Sequence, residues 1–480
     1  MLAMVLAFGL LGARGIWDPD EGRYSNVALM MLDSGDWLNP RRNDEIGHWT
    51  KPPLTYWAIA GSIAAFGQTP WAARLPQALA YLACVWLVWR IARRLAPGEE
   101  DSAAVIYATM LFTVGAAQLI TTDYLLSAFE TLAMWAFVEL RFGEPAQRRR
   151  WTALMWAAFA LAFLTKGPPA LLPLLVMVAC DRLVPRAGRT GVFDLTGALL
   201  FVLLAAPWFI AVMAGNPGLY RYFIGDEVIN RVTTNEFGRH GQWYGWLTIY
   251  LPTLLIGTLP WTGGLLRWAR DLPAQVRGWR LRETRVAQAQ WLLPSLWLLL
   301  PLLVFCLARS RLPLYLLPLF SALAILITQQ RAREGRGFPR WPWLVAWCVV
   351  VLGLRVASIH WPTHKNAAEW AEQIRARHPA PLREVVFVED MARYGLHLHL
   401  DTEIERLSLT ALPPHTGYAA PVYDSDFLHE VDEAEPGVVW VSKQERMPEI
   451  RAQLASRGKR AVALGAPYQN RIIFRLEPVE

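Results

Sequence analysis

The sequence predicts a mainly α, polytopic membrane protein that ends in a small α/β domain. Three observations carry that expectation. Hydrophobic residues make up 54% of the 480 positions and charged residues only 18%, against about 25% charged in soluble domains. Mean hydropathy is +0.23, and the 24 tryptophans suit a chain that meets the lipid–water boundary repeatedly. After His360 the apolar runs stop and the pattern shifts to short alternating segments.

Runs approaching the ~20 residues needed to cross a bilayer fall at Met1–Arg14, Trp71–Arg90, Ser102–Ile120, Tyr124–Leu140, Trp151–Thr165 and Pro168–Cys180. They continue at Phe193–Ala214, Trp246–Leu266, Trp291–Leu307, Leu312–Thr328 and Trp341–Ile359, about eleven spans in all. The first run is short but lacks a basic leader, which favours a retained helix over a signal peptide.

Orientation comes from arginine. Alternate turns hold Arg90, Arg93 and Arg94, then Arg141 and Arg148–Arg150, then Arg182, Arg186 and Arg189. Further along come Arg267–Arg285 and finally Arg331–Arg340. The positive-inside rule puts these turns in the cytoplasm, which places the N-terminus inside and the C-terminal region outside. Two outer loops are long, 16–70 and 215–244. The domain expectation is a membrane domain over 1–359 with those loops, and an extracytoplasmic α/β domain over 360–480. Its strands are expected at Glu384–Asp390, Gly437–Ser442 and Arg471–Leu476, its helices at Lys365–His378 and Glu449–Arg457. Within loop 16–70, Pro52–Gly67 reads as an interfacial or re-entrant helix.

Composition also excludes classes. The net charge of +7 sits in short turns without interleaved aromatics, so nothing in it recognises nucleic acid. Cys84, Cys180, Cys306 and Cys348 lie inside apolar runs without paired spacing and read as core residues, not as a metal or disulfide framework. The region after His360 has no nucleotide-binding glycine loop, and the chain has no internal repeat.

Chemistry concentrates on the outer side. Asp18-Pro19-Asp20-Glu21-Gly22-Arg23-Tyr24 follows the first span, and adjacent carboxylates there suit a general base, a charge stabiliser or a metal ligand; the competing role is a capped, solvated loop. Asp123 stands between two apolar runs, where capping is the ordinary role of an acid. Lys51, Lys166, Lys365, Lys443 and Lys459 all fall on the outer side, where they suit phosphate binding or snorkelling to headgroups. Arg309-Ser310-Arg311-Leu312-Pro313-Leu314-Tyr315 forms another outer turn with two cations. Ionisable groups at such depth are functional candidates.

Several segments in order resemble one membrane glycosyltransferase superfamily. Asp20-Glu21-Gly22-Arg23-Tyr24, Ser34-Gly35-Asp36-Trp37, Lys51-Pro52-Pro53 and Tyr56-Trp57 are similar to its first outer loop. Leu164-Thr165-Lys166-Gly167, Leu259-Pro260-Trp261 and Arg311-Leu312-Pro313-Leu314-Tyr315 follow in the same order. The superfamily is the GT-C class of 4-amino-4-deoxy-L-arabinose lipid A transferases and protein O-mannosyltransferases. The resemblance reaches to about Thr328 and does not extend to the C-terminal domain.

What it implies is a multi-pass protein of a bacterial inner membrane with a periplasmic active site. The reaction would move a hexosyl or pentosyl group from a polyisoprenyl-phosphate donor to lipid A, another envelope glycolipid or a protein. By the same resemblance Asp20 is the main catalytic carboxylate, with Glu21 beside it and Asp123 as the acid of the next outer loop. Arg23 and Tyr24 complete the first motif, and Lys51, Lys166, Arg231, Arg311 and Tyr315 would hold the phosphates of donor or acceptor. The arabinose transferases tend to carry an acid before the Lys-Pro pair and a histidine in a later loop. Thr50 and, by register, Val228 stand there instead, so the sugar and any need for a divalent cation stay open; no other cofactor is implied. Two other classes compete, a transporter or flippase of lipid-linked sugar and a non-catalytic scaffold, although the duplicated halves common in transporters are missing.

Overall fold

The computed structural model describes all residues except 186–191, 226–239, 379–380, 414–416, 420, 434–435 and 480. Its contacts divide the chain into two compact units. One comprises Met1–Leu11, Lys51–Thr55 and Arg74–Ala357, the other Gly12–Thr50, Tyr56–Ala73 and Ser358–Glu480.

The first unit is a helical body. Its centre is the run Pro313–Arg333, a 3-10 turn leading into the helix Phe320–Arg333, in which every residue from Phe320 to Gln330 is buried. The helices Leu195–Gly215 and Trp341–Ile359 are as apolar but only 22% buried, with Leu203 70% and Val349 64% exposed. Apolar faces of that size left outside a packed body belong against lipid, and their backbone bonds are closed within the helix, as a bilayer demands. The chain is an integral, multi-pass membrane protein.

The structure does not confirm the expected count of about eleven spans. Among the described residues five helices are long and apolar enough to cross, or six if Gly245–Gly257 and Thr262–Gly278, bent by 120°, count as one. The reasons are local. The run expected at Ser102–Ile120 breaks at Met110, whose backbone is extended, into Glu100–Thr109 and Leu111–Ala116. The break is tied down from elsewhere: the indole N–H of Trp261 donates to Thr109 Oγ1 at 2.9 Å and that of Trp347 to the Thr109 carbonyl at 2.8 Å. Asp123–Phe142 and Arg148–Lys166 are full-length helices but carry several charges, some satisfied by pairing, as Glu139 is by Arg94 at 2.9 Å. The first helix is only Leu2–Phe8; the Arg355 guanidinium reaches the Leu6 and Gly9 carbonyls at its end, at 2.5 and 2.7 Å. The cysteines are free thiols, all but the half-buried Cys306 fully enclosed.

The second unit is built on a six-stranded sheet. Its strands are β1 (Glu384–Val388), β2 (Glu403–Ser408), β3 (Ser425–Asp426), β4 (Val438–Lys443), β5 (Lys459–Ala463) and β6 (Arg471–Pro478). The order is β3-β2-β1-β4-β6-β5, with β3, β2, β1 and β4 parallel and β6 antiparallel to both β4 and β5. The central strands β1 and β4 are covered on both faces and so read as continuous apolar runs. One face packs Val386, Val388, Leu407, Trp440 and Phe474 against the helices Phe427–Glu433 and Met447–Ala455.

Much of the segment 16–70 belongs to this unit. Trp17 bridges to Asn366, Asp18 N–H donates to the Lys365 carbonyl at 2.9 Å, Arg42 pairs with Asp424, and Asn43 donates to Glu405 at 3.0 Å. The helix Asp20–Ser34, which carries the acid motif, is held in the same assembly.

Candidate active site

In the helical body, Asp123 opens the helix Asp123–Phe142 and Lys166 closes the next one, Arg148–Lys166. Two consecutive antiparallel helices bring the start of the first level with the end of the second. Each charge also sits at the helix end whose dipole favours it. The Lys166 ammonium donates to the Asp123 carboxylate, with both side chains largely buried, at 11% and 8% exposure. The same Nζ stands 4.7 Å from the centroid of the Tyr315 ring, a cation–π distance. Gly167, at φ 74°, turns the chain away immediately after.

Arg311 lies four residues before Tyr315 and is 3% exposed. Its guanidinium donates to the carbonyls of His240 and Gln242 at 2.8 and 2.7 Å and to that of Cys306 at 2.9 Å. Among the described residues these partners are neutral carbonyls. Lys51 is half-buried on the turn before the helix Leu54–Phe66. Arg231, like Val228, lies outside the described residues. The body therefore brings Asp123, Lys166 and Tyr315 together and holds Arg311 on backbone oxygens.

In the other unit the three acids of the motif part company. Asp20 is in the first turn of its helix with its side chain 68% exposed, and it pairs with Arg23 at 2.5 Å. Glu21 is 3% exposed and meets Arg14 at 2.8 Å and the Trp17 N–H at 2.9 Å. Asp18 is 2% exposed and accepts from the Gly395 N–H at 3.1 Å. Burial pushes its carboxyl up to about 8. Gly22 makes the close approach possible, because a Cβ there would overlap the Asp18 carboxyl. Tyr24 stacks on Tyr56 with centroids 5.8 Å apart. Asp20 is thus the acid presented outward, while Asp18 and Glu21 hold the motif in place.

Sequence reasoning missed His397. It is 4% exposed, with Nδ1 2.8 Å from Asn26 Oδ1 and Nε2 3.1 Å from Asp33, so it grips the acid-motif helix at two points. Two polar residues on one helix flank, Asn26 and Asp33, were the only signal, and their partner lies 371 positions beyond Asn26. Among the described residues, Glu384, Glu405 and Glu430 also converge, with carboxylate oxygens within 4.8 Å of one another. Burial first and mutual repulsion second push Glu384 up to about 8 and Glu405 up to about 9. Those groups share protons near neutral pH, which leaves little charge for a cation.

Comparison with known proteins agrees with this architecture. The family profile described as dolichyl-phosphate-mannose-protein mannosyltransferase matches residues 50–210. An undecaprenyl phosphate-alpha-4-amino-4-deoxy-L-arabinose arabinosyl transferase of Pseudomonas fluorescens is 32% identical over 338 residues, covering 68% of this chain and 56% of that protein. Its counterpart in Pseudomonas aeruginosa strain UCBPP-PA14 is 32% identical over 348 residues, covering 69% and 60%. The crystal structure of ArnT from Cupriavidus metallidurans bound to undecaprenyl phosphate superposes with a TM-score of 0.77 at 22% identity, covering 98% of this chain and 96% of that one. An oligosaccharyltransferase from Archaeoglobus fulgidus follows at 0.52 and 10% identity, covering 95% and 70%. The fold and the relatives define a GT-C-type membrane protein. Within that class the chain belongs to the ArnT-like family related to the protein mannosyltransferases. It spans a little over half the length of the curated relatives it matches, 56% and 60% for the two above.

Proposed function

We propose that this chain is a glycosyltransferase that moves a sugar from a polyisoprenyl-phosphate donor to an acceptor on the outer face of the membrane. Lipid A or another envelope glycolipid is the favoured acceptor class, with protein as the other. The observation that carries the reading is the Lys166 ammonium held by Asp123 over Tyr315 within a membrane-embedded body. A buried cation there suits a lipid phosphate, and the relatives are named for undecaprenyl phosphate sugar donors. The arginine-rich turns support an outer, periplasmic location for the outer loops and the C-terminal unit.

The chemistry follows as a single displacement. An acceptor oxygen forms a bond to the anomeric carbon, the bond from that carbon to the phosphate oxygen breaks, and its electron pair leaves on the polyisoprenyl phosphate. Configuration at the carbon inverts. Phosphate is a good leaving group, so most acceleration comes from cations placed where charge develops, the role assigned to Lys166, Lys51, Arg231 and Arg311. Tyr315 holds the Lys166 ammonium in place. Asp20 takes the proton of a hydroxyl acceptor. A phosphate acceptor is already ionised, its second pKa being about 6, and Asp20 then orients it, with Arg23 and Tyr24 beside it in sequence.

The experiment uses purified chain with a radiolabelled polyisoprenyl-phosphate sugar and an envelope lipid extract. Covalent label in the acceptor supports a transferase. Redistribution of donor across the bilayer without product indicates a transporter and refutes the proposal.

A further inference from the structure

The helical body also holds a cavity of about 420 Å³ walled by Arg267, Arg331, Arg336, Arg340, Trp261 and Trp343. Arg331 and Tyr315 lie on the same continuous run Pro313–Arg333, sixteen residues apart in sequence, or roughly 25 Å along a helical rod. The cavity is therefore at the opposite end of that rod from the Asp123–Lys166–Tyr315 cluster. It sits among the arginine-rich turns that sequence orientation puts in the cytoplasm.

Its walls are strongly cationic. Among the described residues no carboxylate lines it. Glu334, just outside, is shared by Arg267 at 2.7 Å and Arg336 at 2.8 Å. Arg331 donates to the Gly337 carbonyl at 3.0 Å and lies 5.3 Å from the Trp261 ring centroid. Glu334 offsets one of the four guanidinium charges around this space, and the net positive charge that is left favours an anion. The surroundings are those of a bilayer interface: Trp341 is 58% and Trp343 43% exposed, and Trp341 begins the lipid-facing helix Trp341–Ile359. Trp343 packs edge-on against Trp261 at 5.0 Å. Amphipathic aromatics belong at headgroup level, and basic pockets between membrane helices on the cytoplasmic side suit phosphate headgroups.

We infer that this cavity is a second phosphate site, distinct from the candidate active site, and that its occupant is the phosphodiester headgroup of an anionic phospholipid in the inner leaflet. The guanidinium groups take the phosphate, since planar N–H forks match its oxygens. The acyl chains then lie along the exposed apolar side of Trp341–Ile359, where Val345 and Val349 face outward.

Native mass spectrometry of the full chain in detergent tests this, with phosphatidylglycerol and phosphatidylcholine offered at equal concentration. Wild type is expected to retain phosphatidylglycerol preferentially. The Arg336→Ala/Arg340→Ala double variant alters exposed side chains outside the candidate active site. It is expected to lose that retention about tenfold or more, while Arg336→Lys/Arg340→Lys, which keeps the charge but not the fork, falls between the two. Equal retention of the two lipids by wild type overturns the inference without reference to any variant, and so does unchanged retention by the alanine variant. Thermal protection of wild type by inorganic phosphate equal to that by phosphatidylglycerol assigns the cavity to a free anion and overturns the lipid reading.

Discussion

The Lys166 ammonium is clasped between the Asp123 carboxylate, to which it donates, and the face of Tyr315, whose centroid is 4.7 Å from Nζ. Neither charge is exposed enough for water to replace its partner. Removing either member of this buried pair takes away an opposite charge from the other, at about 3–5 kcal/mol. Asp123→Ala and Lys166→Ala should each lower the melting temperature in detergent sharply. The double variant Asp123→Asn/Lys166→Met should recover most of the stability and none of the transfer activity. Recovery of both would reduce the pair to a structural clasp.

The C-terminal unit should lose stability as pH rises. Asp18, Glu384 and Glu405 are pushed up to about 8, 8 and 9 by burial, so the folded state holds protons that the unfolded chain gives up near pH 4. A raised acid adds stability that is complete below its unfolded value and lost as pH climbs through its folded one. Thermal unfolding followed from pH 6 to pH 9 should show a falling midpoint. Asp18→Asn and Glu405→Gln, which mimic the protonated forms, should flatten the slope. A midpoint that rises over this range contradicts the burial of these acids.

Two glycines on helices should respond with opposite sign. A Cβ at Gly22 would overlap the Asp18 carboxyl and stand 2.5 Å from the Gly395 nitrogen, whereas one at Gly61 meets nothing within 4 Å. Gly22→Ala should cost about 1–3 kcal/mol through overpacking. Gly61→Ala should stabilise by about 0.5–1 kcal/mol from helix propensity alone. Melting curves of the two variants decide it.

His397→Ala removes both grips on the acid-motif helix, at Asn26 and Asp33. A buried network left with an unsatisfied partner costs about 1–3 kcal/mol. The helix also carries Asp20, so kcat should fall more than KM rises. An unchanged kcat would show that the helix does not need this clamp.

The membrane class was legible because it rests on composition and run length, which survive without tertiary knowledge. So were β1, β4 and β6, whose runs are apolar enough to stand out. β2 (Glu-Ile-Glu-Arg-Leu-Ser) and β5 (Lys-Arg-Ala-Val-Ala) were not expected, because charges on their partly exposed positions mask the alternation. Length and apolarity alone do not confirm the expected count of spans where tertiary contacts intervene: Met110 is extended between Thr109 and Leu111, and Thr109 is held by Trp261 and Trp347 from distant segments. The acid motif was visible as a motif, but not the division of labour inside it. Asp20 and Glu21 are adjacent in sequence, and only their packing separates an exposed carboxylate from one sealed against Arg14. The docking of the first loop on the sheet, as in Arg42 with Asp424, joins residues 382 positions apart, beyond any local pattern.

Transfer by the Asp20→Asn variant decides whether Asp20 is the catalytic carboxylate. Purified wild type and variant are supplied with labelled polyisoprenyl-phosphate sugar and a hydroxyl acceptor, and label in the acceptor is counted. Wild type is expected to give product and the variant to lose about 10²–10⁴-fold, the range for a general base, with its melting temperature unchanged because the side chain is 68% exposed. Wild-type turnover by Asp20→Asn would contradict it.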